Sequence, residues 1–318
     1  MSERGKAASG LEVFLLGLLG LLWGMPYALT KIALTTIPPV TLVAGRVSLA
    51  AVALWLFVLF RRRPMPQWRG FVPAIFIQGL IACVIPYTLI AFGQQSVESA
   101  LAAILNSATP LFVCLVSVVW VRQERFTVAR WFGVTVGLGG VVLIAGASAL
   151  FGLGRTMPGQ FAIIAATFSS ALSAIYGRRF ADIAPEITAA GTLTSAALVL
   201  VPLCLLLETP LSAAPSAASL VALTVNGVIA TALGFVLYFR LIQTLGSMGV
   251  ASVGYLKPGF GVLIACTLMG EMVTWTMAGG LIAILIGVVT LNQRTSTPGA
   301  EPSATLDPKA ALILKIHI

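Results

Sequence analysis

Long apolar runs separated by short polar turns make up most of this chain. Ten runs of roughly 20 residues lie at about 11–34, 40–60, 71–93, 99–121, 128–147, 158–180, 186–207, 217–243, 247–270 and 273–292. A helix of about 20 apolar residues can cross the hydrocarbon core of a bilayer. The pattern therefore predicts an all-α membrane protein with ten transmembrane helices. The first run is too long, and lacks the cleavage site, for a removable signal peptide, so we expect it to remain as the first helix.

The two halves of the chain repeat this pattern of runs and turns, and some residues recur at fixed shifts. Shifted by 146 residues, the start of the second run matches the start of the seventh, with six identities in 16 positions. Similar shifts carry Pro110 to Pro258 and Glu124 to Glu271. Five helices in each half would make the second half cross the membrane in the opposite sense, the inverted repeat of many alternating-access transporters. The predicted division is an N-terminal segment 1–10, a first repeat 11–147, a linker 148–157, a second repeat 158–292 and a disordered tail 293–318.

Composition and charge agree with a membrane protein and assign its orientation. The chain is 58% hydrophobic and 9% charged, whereas soluble domains carry about 25% charged residues. The net charge of +9 could suggest a nucleic-acid partner. With the N-terminus inside, however, only Lys31 and Arg155 fall in outer segments, and the other loop and tail cations fall inside. This asymmetry predicts cytoplasmic termini and explains the basic balance without nucleic acid.

The sequence lacks the residues that a catalytic site or a metal site would need. Each of the four cysteines stands alone in an apolar run, and the single histidine, His317, lies in the tail. A Ser-His-Asp or Cys-His site has no plausible histidine, and no CxxC pair or Walker motif is present. We therefore predict no enzyme activity, no metal and no cofactor.

The duplicated motifs resemble a known transporter family. Trp23-Gly24 followed by Lys31, Arg46 in the second helix, and a proline followed by glutamate and a glycine-rich helix are similar to the EamA-type family of the drug/metabolite transporter superfamily. The resemblance covers about residues 11–292 and implies a ten-helix carrier of small metabolites. Several bacterial members export amino acids, including aromatic ones. The first-helix pattern is poorly kept in the second half, where Ser169-Ser170 stands opposite Trp23-Gly24.

Lys257 is the sharpest candidate for substrate binding. It lies about eleven residues into the predicted ninth helix, near the bilayer centre, next to Pro258, which frees the carbonyl of Gly254. A lysine at that depth costs about 2.5–3.5 kcal/mol unless it meets water or a partner. All ten acidic residues lie at run ends, in loops or in tails. A substrate carboxylate is therefore the favoured partner, and solvation, a neutral amine or bonding to helix carbonyls are the alternatives.

Other polar and aromatic residues within the runs could line the same site. Aromatic rings with one polar atom suit an aromatic ligand, and amides can bind a ligand or join helices. The predicted substrate-binding set is Lys257, Tyr255, Tyr27, Trp23, Tyr87, Asn106, Gln78, Tyr176 and Asn226. Trp23 and Tyr27 are expected on one face at i, i+4. Arg46 can snorkel, so we favour packing against helix ends or headgroups over substrate contact.

The remaining motifs predict scaffold and hinge roles. Glu124 and Glu271 are expected to cap the helices that follow them, and the glycines from Gly133 to Gly140, with their copies, to let helices pack closely. The breaks at Pro26, Pro86, Pro110 and Pro258 are candidate hinges.

These observations predict a secondary exporter of small metabolites, with amino acids favoured and aromatic ones first among them. A bacterial-type inner membrane, a small-molecule substrate and a functional monomer are expected. A uniporter is preferred because no carboxylate or histidine lies at depth to couple protons. A proton-coupled multidrug or metabolite exporter is the main alternative, and a channel or an intramembrane enzyme is a more distant one.

Overall fold

The computed structural model describes residues 10–61, 68–119, 128–150, 156–208, 214–251 and 253–292. Helices account for nearly all of these residues, and none of them is in a strand. Within these described ranges, seven helical segments are long and apolar enough to cross a membrane, and three shorter apolar helices cover residues 131–144, 253–269 and 275–290. In lipid, backbone groups must pair within the chain, which favours helices. The predicted all-α membrane protein is confirmed, while the count of ten crossings and the orientation stay predictions.

The helices of the first half are interrupted more often than those of the second. They are α1 (Gly10–Gly24), α2 (Pro26–Ala33), α3 (Pro39–Arg61), α4 (Trp68–Gly79), α5 (Ile85–Gly93), α6 (Ser99–Asn106), α7 (Thr109–Val119) and α8 (Val128–Leu150). The second half contains α9 (Met157–Tyr176), α10 (Pro185–Leu207), α11 (Ala217–Thr224), α12 (Gly234–Ala251), α13 (Val253–Met269) and α14 (Trp275–Asn292).

Two of the interruptions lie beside prolines that lack a backbone donor. The chain turns at Met25, between α1 and α2, directly before Pro26. Between α6 and α7 it turns at Ser107 and Ala108, before Pro110. Pro110 cannot donate to the carbonyl of Asn106 four residues earlier, and the Thr109 hydroxyl donates to that carbonyl instead, at 2.8 Å. The break at Pro110 is thus stabilised by its own neighbour.

Two π-helical segments lie at equivalent places in the two halves. Leu80–Val84 joins α4 to α5, ahead of Pro86, and Val225–Leu233 joins α11 to α12. The shift of 148 residues that aligns the repeats carries the first segment into the second. A π turn leaves some carbonyls without their usual partners, and these become acceptors for side chains.

Helix packing follows the same internal symmetry. The equivalent helices α3 and α10 pack on each other, as do α8 and α14, and the contact of α1 with α13 is matched by that of α7 with α9. Glycines bring α8 and α14 together, as the sequence predicts, because a Cβ on Gly140 would meet the Gly280 carbonyl oxygen at 2.7 Å. The equivalent contact pairs Gly287 with Gly133. Large apolar side chains such as Phe60, Leu206 and Trp275 remain exposed on the outside, as a lipid-facing surface requires.

Two predictions around the ninth run are wrong. The helix α12 continues to Ala251, past the turn expected at 244–246, because that stretch contains no proline and lipid favours internally bonded backbone. Pro258 lies inside the uninterrupted helix α13 and not at a break. Lys257 is therefore the fifth residue of α13 instead of the eleventh, although it is still about 18 Å from Met269 at the other end.

Several predicted features lie outside the described residues. These are most of the segment 1–10, the core of the linker 148–157, Glu124 with its flanking arginines, and the tail 293–318.

Candidate functional site

Lys257 meets a neutral amide from the other half of the chain. Its Nζ donates to Oδ1 of Asn106 at 2.8 Å, and the hydroxyl of Tyr27 donates to the same oxygen at 2.8 Å. The ammonium also lies 5.6 Å from the centroid of the Tyr27 ring, within reach of a cation–π attraction. Nδ2 of Asn106 approaches Oγ1 of Thr167 at 3.4 Å. The structure thus brings three predicted site residues together around one oxygen atom.

Local backbone features place these groups. Asn106 is the last residue of α6, at the break before Pro110, and is only 5% exposed. Gly261, one turn after Lys257, lets α13 approach α6, because a Cβ there would lie 2.8 Å from that of Ala103. Gly24 allows the matching approach of α1, since its Cβ would meet the Gly261 nitrogen at 2.8 Å.

Arg46 lies in the interior, and the preference for helix ends or headgroups is wrong. Its Nε donates to Oγ1 of Thr231 at 3.1 Å, and its guanidinium carbon lies 4.1 Å from the centroid of the Tyr87 ring. Both partners belong to or follow the π segments. Thr231 Oγ1 donates to the carbonyl of Asn226 at 2.8 Å, five residues earlier, which is the carbonyl spacing of a π turn. That irregular backbone holds the Thr231 hydroxyl where Arg46 reaches it.

A chain of polar groups connects the surroundings of Arg46 to those of Lys257. Nδ2 of Asn226 donates to Oγ1 of Thr30 at 3.2 Å, and Thr30 lies one helical turn after Tyr27 on α2. The carbonyl of Asn226 accepts from Thr231, the partner of Arg46, and so joins the two ends of this chain of groups. The links Lys257–Asn106, Arg46–Thr231 and Asn226–Thr30 each cross from one half of the chain to the other. We call Lys257, Asn106, Tyr27, Thr30, Asn226, Thr231, Arg46 and Tyr87 the central polar network.

The central polar network contains two cations and no carboxylate. The acidic residues of the described ranges are Glu12, Glu98, Asp182, Glu186, Glu208 and Glu271, and each lies at a helix end or in a turn. Within those ranges no group of three His, Cys, Asp or Glu residues is placed to hold a metal ion. The chemistry that the network offers is recognition of negative charge.

At one end of the bundle, two carboxylates cap helices of the opposite half. Glu271 accepts from the backbone nitrogens of Ser99 and Ala100, at 2.8 and 2.7 Å, and so caps α6. The prediction that it caps the following helix is wrong, because Gly270 ends α13 with a φ of 66° and the chain turns back toward α6. Glu208 caps α3 in the same way, accepting from the nitrogens of Val40 and Thr41 at 2.9 and 2.7 Å. We call this the capped end.

A third carboxylate at the capped end, that of Glu98, interacts electrostatically with Glu271. Burial and the nearby charge of Glu271 raise the pKa of Glu98, while Lys31 partly offsets the rise. Lys31 is itself held by the carbonyls of Gln94 and Val97, at 2.6 and 3.0 Å. The Gln94 amide in turn donates to the Tyr27 carbonyl at 2.8 Å, which connects the capped end to the central polar network.

The two-fold pattern of helices and glycines has a counterpart in a known family. The sequence pattern of the EamA-like transporter family matches residues 10–146 and again residues 157–293, nearly the whole chain. The chain belongs to this transporter family.

Proteins similar to this EamA-like transporter are themselves named as transporters or efflux pumps. It is 25% identical to the uncharacterized inner membrane transporter YedA of Escherichia coli K12 over 278 residues, which cover 86% of this chain and 88% of YedA. It is also 25% identical to a probable amino-acid metabolite efflux pump of Salmonella typhimurium, over 86% of this chain and 92% of that protein. A solved crystal structure with 20% identity shares the fold, with a TM-score of 0.59 over 89% of this chain and 98% of that one.

Four predicted site residues of the EamA-like transporter lie away from Lys257. Trp23 packs on Phe235 and Tyr238, whereas Tyr27 contacts Asn106, so the two rings face different helices. The other three are Gln78, whose Nε2 donates to the Ser173 carbonyl at 3.3 Å, Tyr176, which accepts from Arg179 at 2.7 Å, and Tyr255, which donates to the Val288 carbonyl at 3.4 Å.

Sequence reasoning missed Thr231 and Glu208 in the transporter. Thr231 has no polar counterpart in the first half, where the shift of 148 residues places Cys83, and a threonine in an apolar run is an ordinary helix residue. Glu208 was recognisable only as a lone carboxylate at the end of the seventh run. The sequence contains no signal for the helix that either side chain reaches.

Proposed function

We propose that this EamA-like transporter is a secondary carrier of the inner membrane that exports amino acids, aromatic ones among them. Ten membrane-crossing helices form two inverted halves, residues 11–147 and 158–292, and both termini lie in the cytoplasm. The substrate binds at the central polar network, and access alternates as the two halves rock. The carrier works as a monomeric uniporter.

The contact between Lys257 and Asn106 carries this proposal. An ammonium in an apolar interior is expensive unless a partner offsets the loss of hydration. The Asn106 oxygen supplies a hydrogen bond at 2.8 Å but no negative charge. A substrate carboxylate completes this environment, because a charge-assisted hydrogen bond is about twice as strong as a neutral one.

The position of the network supports alternating access. Its hydrogen bonds join helices of the first half to helices of the second, as in the pairs Lys257–Asn106, Arg46–Thr231 and Asn226–Thr30. A ligand bound there would contact both halves and would favour whichever arrangement encloses it. The capped end, on the outer side in the predicted orientation, offers hydrogen bonds that would break when that side opens.

The relatives support the substrate class. One relative is named a probable amino-acid metabolite efflux pump, and tyrosine rings flank both cations of the network. A flat ring beside a cation can stack on an aromatic substrate.

The test is counterflow in proteoliposomes that contain the purified full-length protein and no ion gradient. Liposomes preloaded with unlabelled phenylalanine or leucine should take up the labelled amino acid transiently and saturably. Lys257→Gln should lose this uptake, whereas Arg61→Gln, a change at the exposed end of α3, should retain it. Uptake that depends on a pH gradient would replace the uniporter with a proton-coupled carrier. Linear, unsaturable flux would indicate a channel.

A further inference from the structure

Two cations occupy the central polar network, and no described carboxylate balances either of them. We propose that Lys257 and Arg46 form a two-point anion site and that the preferred substrate is an amino acid with a second acidic group, such as glutamate. This inference rests on the proposed function, because it names the substrate class of the same site.

The guanidinium of Arg46 is oriented with one edge available. Its Nε donates to Thr231, and its central carbon lies over the Tyr87 ring, 4.1 Å from the centroid. The two terminal amino groups make no hydrogen bond to any residue in the described ranges, so their shared edge can bind a carboxylate with two parallel hydrogen bonds. Arg46 is only partly buried, as is Tyr87, whereas Thr231 is 3% exposed.

Repulsion between the two cations makes a doubly acidic ligand the better match. Arg46 and Lys257 belong to one connected network of contacts, and their positive charges oppose each other. In a medium of low dielectric constant this opposition is much stronger than in water. A neutral amino acid brings one carboxylate and balances one cation, whereas glutamate brings a carboxylate for each.

An unpaired acceptor in the network matches the amino group of such a substrate. Asn226 is fully buried, and its Oδ1 makes no hydrogen bond with any described residue, while its Nδ2 donates to Thr30. A buried carbonyl oxygen without a donor costs free energy that an ammonium hydrogen bond would recover. The backbone carbonyl of Asn226 accepts from the hydroxyl of Thr231, the partner of Arg46.

A comparison of glutamate binding with glutamine binding isolates the contribution of the second acidic group of the ligand. The two amino acids have nearly the same shape and differ in one charge. We would measure binding of each tritiated compound to the purified full-length protein in detergent, for wild type, Arg46→Gln and Lys257→Gln. Arg61→Gln makes the same substitution on the same helix, at its exposed end, and serves as the matched control. Arg46→Lys keeps the charge if the glutamine variant does not fold.

We expect the wild type and Arg61→Gln to bind glutamate roughly 10- to 100-fold more tightly than glutamine. Arg46→Gln should lose this preference and keep glutamine binding, Arg46→Lys should keep part of it, and Lys257→Gln should weaken both ligands. Equal binding of the two ligands by the wild type, or a preference that survives Arg46→Gln, would overturn the inference.

The result is separable from the test of the proposed function. Phenylalanine counterflow without preferential glutamate binding would reject the two-point site and leave the carrier standing. A glutamate preference that depends on Arg46, without phenylalanine counterflow, would support the site and reject the aromatic substrate.

Discussion

Lys257 and Asn106 are 151 residues apart in the chain, yet their side chains meet at 2.8 Å at the contact of the two halves. The amide oxygen also accepts from Tyr27, so a single neutral acceptor serves one charged and one neutral donor. This arrangement keeps the ammonium in place without neutralising it. An internal carboxylate at the same position would remove the positive charge that a substrate is proposed to recognise.

Asn106→Asp tests this relationship with almost no change of shape. The aspartate would pair with Lys257, and a charge-assisted pair with one hydrogen bond already in place should not lower the melting temperature. It should weaken binding of an anionic substrate by about tenfold or more, because the carboxylate competes for the same ammonium. Substrate affinity and thermal unfolding, measured on one preparation, check both parts. Unchanged affinity would show that Lys257 does not contact the substrate.

Tyr27→Phe removes one hydrogen bond and keeps the ring beside Lys257. Loss of a buried hydrogen bond of this kind should lower the free energy of unfolding by about 1 kcal/mol. Tyr176→Phe removes the contact with Arg179 at a partly exposed site and should cost less. Chemical unfolding of both variants in detergent gives the comparison. Equal losses in the two variants would mean that the Asn106 contact adds nothing.

The carboxylate caps predict a ranked pair of alanine variants. Glu208 accepts two backbone donors and the Thr41 hydroxyl, whereas Glu271 accepts two backbone donors. Replacing either by alanine should cost about 1–2 kcal/mol, with Glu208→Ala the more damaging. Glutamine keeps one acceptor oxygen and should recover part of the loss at each position. Denaturant midpoints of the four variants would contradict the assignment if alanine and glutamine behaved alike.

Glu98 predicts a pH dependence at the capped end. Its pKa is raised in the folded protein, first by burial and then by Glu271, so its ionised form opposes folding. Below the unfolded pKa the group is protonated in both states and contributes nothing, whereas above the folded pKa it lowers stability. Its side chain makes no hydrogen bond to cap α6, so little is lost on substitution.

We therefore expect Glu98→Gln to raise the melting temperature at neutral pH. The gain should shrink as the pH falls through the range in which Glu98 takes up its proton, and it should vanish in more acid solution. Thermal unfolding across pH, with wild type alongside, measures the difference. A gain that is independent of pH would trace to packing and not to charge.

The sequence could predict much of the fold and only part of the site. Apolar length predicted membrane helices, and fixed shifts between the halves predicted the equivalence of Pro110 with Pro258, because both signals are contained in the order of the residues alone. It could not show that the helix runs unbroken through Pro258, since a proline bends or breaks a helix according to what packs around it. Lys257, Asn106 and Tyr27 were each chosen for chemistry, but their meeting depends on three helices distant in the chain.

Arg46 shows the limit most clearly. Its place in the second run suggested snorkelling, because a single run does not reveal which side faces lipid. The interior position depends on the Thr231 hydroxyl and the Tyr87 ring, which come from two other helices. The prediction that Glu271 caps the following helix is wrong for a related reason, since Gly270 decides the direction of the turn that carries Glu271.

The paired π segments bear on how this protein came to have two halves. A π turn holds one residue more than the α turn it replaces, and a single inserted residue is enough to create one. Leu80–Val84 and Val225–Leu233 occupy equivalent positions, although few of their residues are the same. The simplest history is one insertion in an ancestral half, made before the gene was duplicated and inherited by both copies. The backbone irregularity has then outlived most of the side chains that first accompanied it.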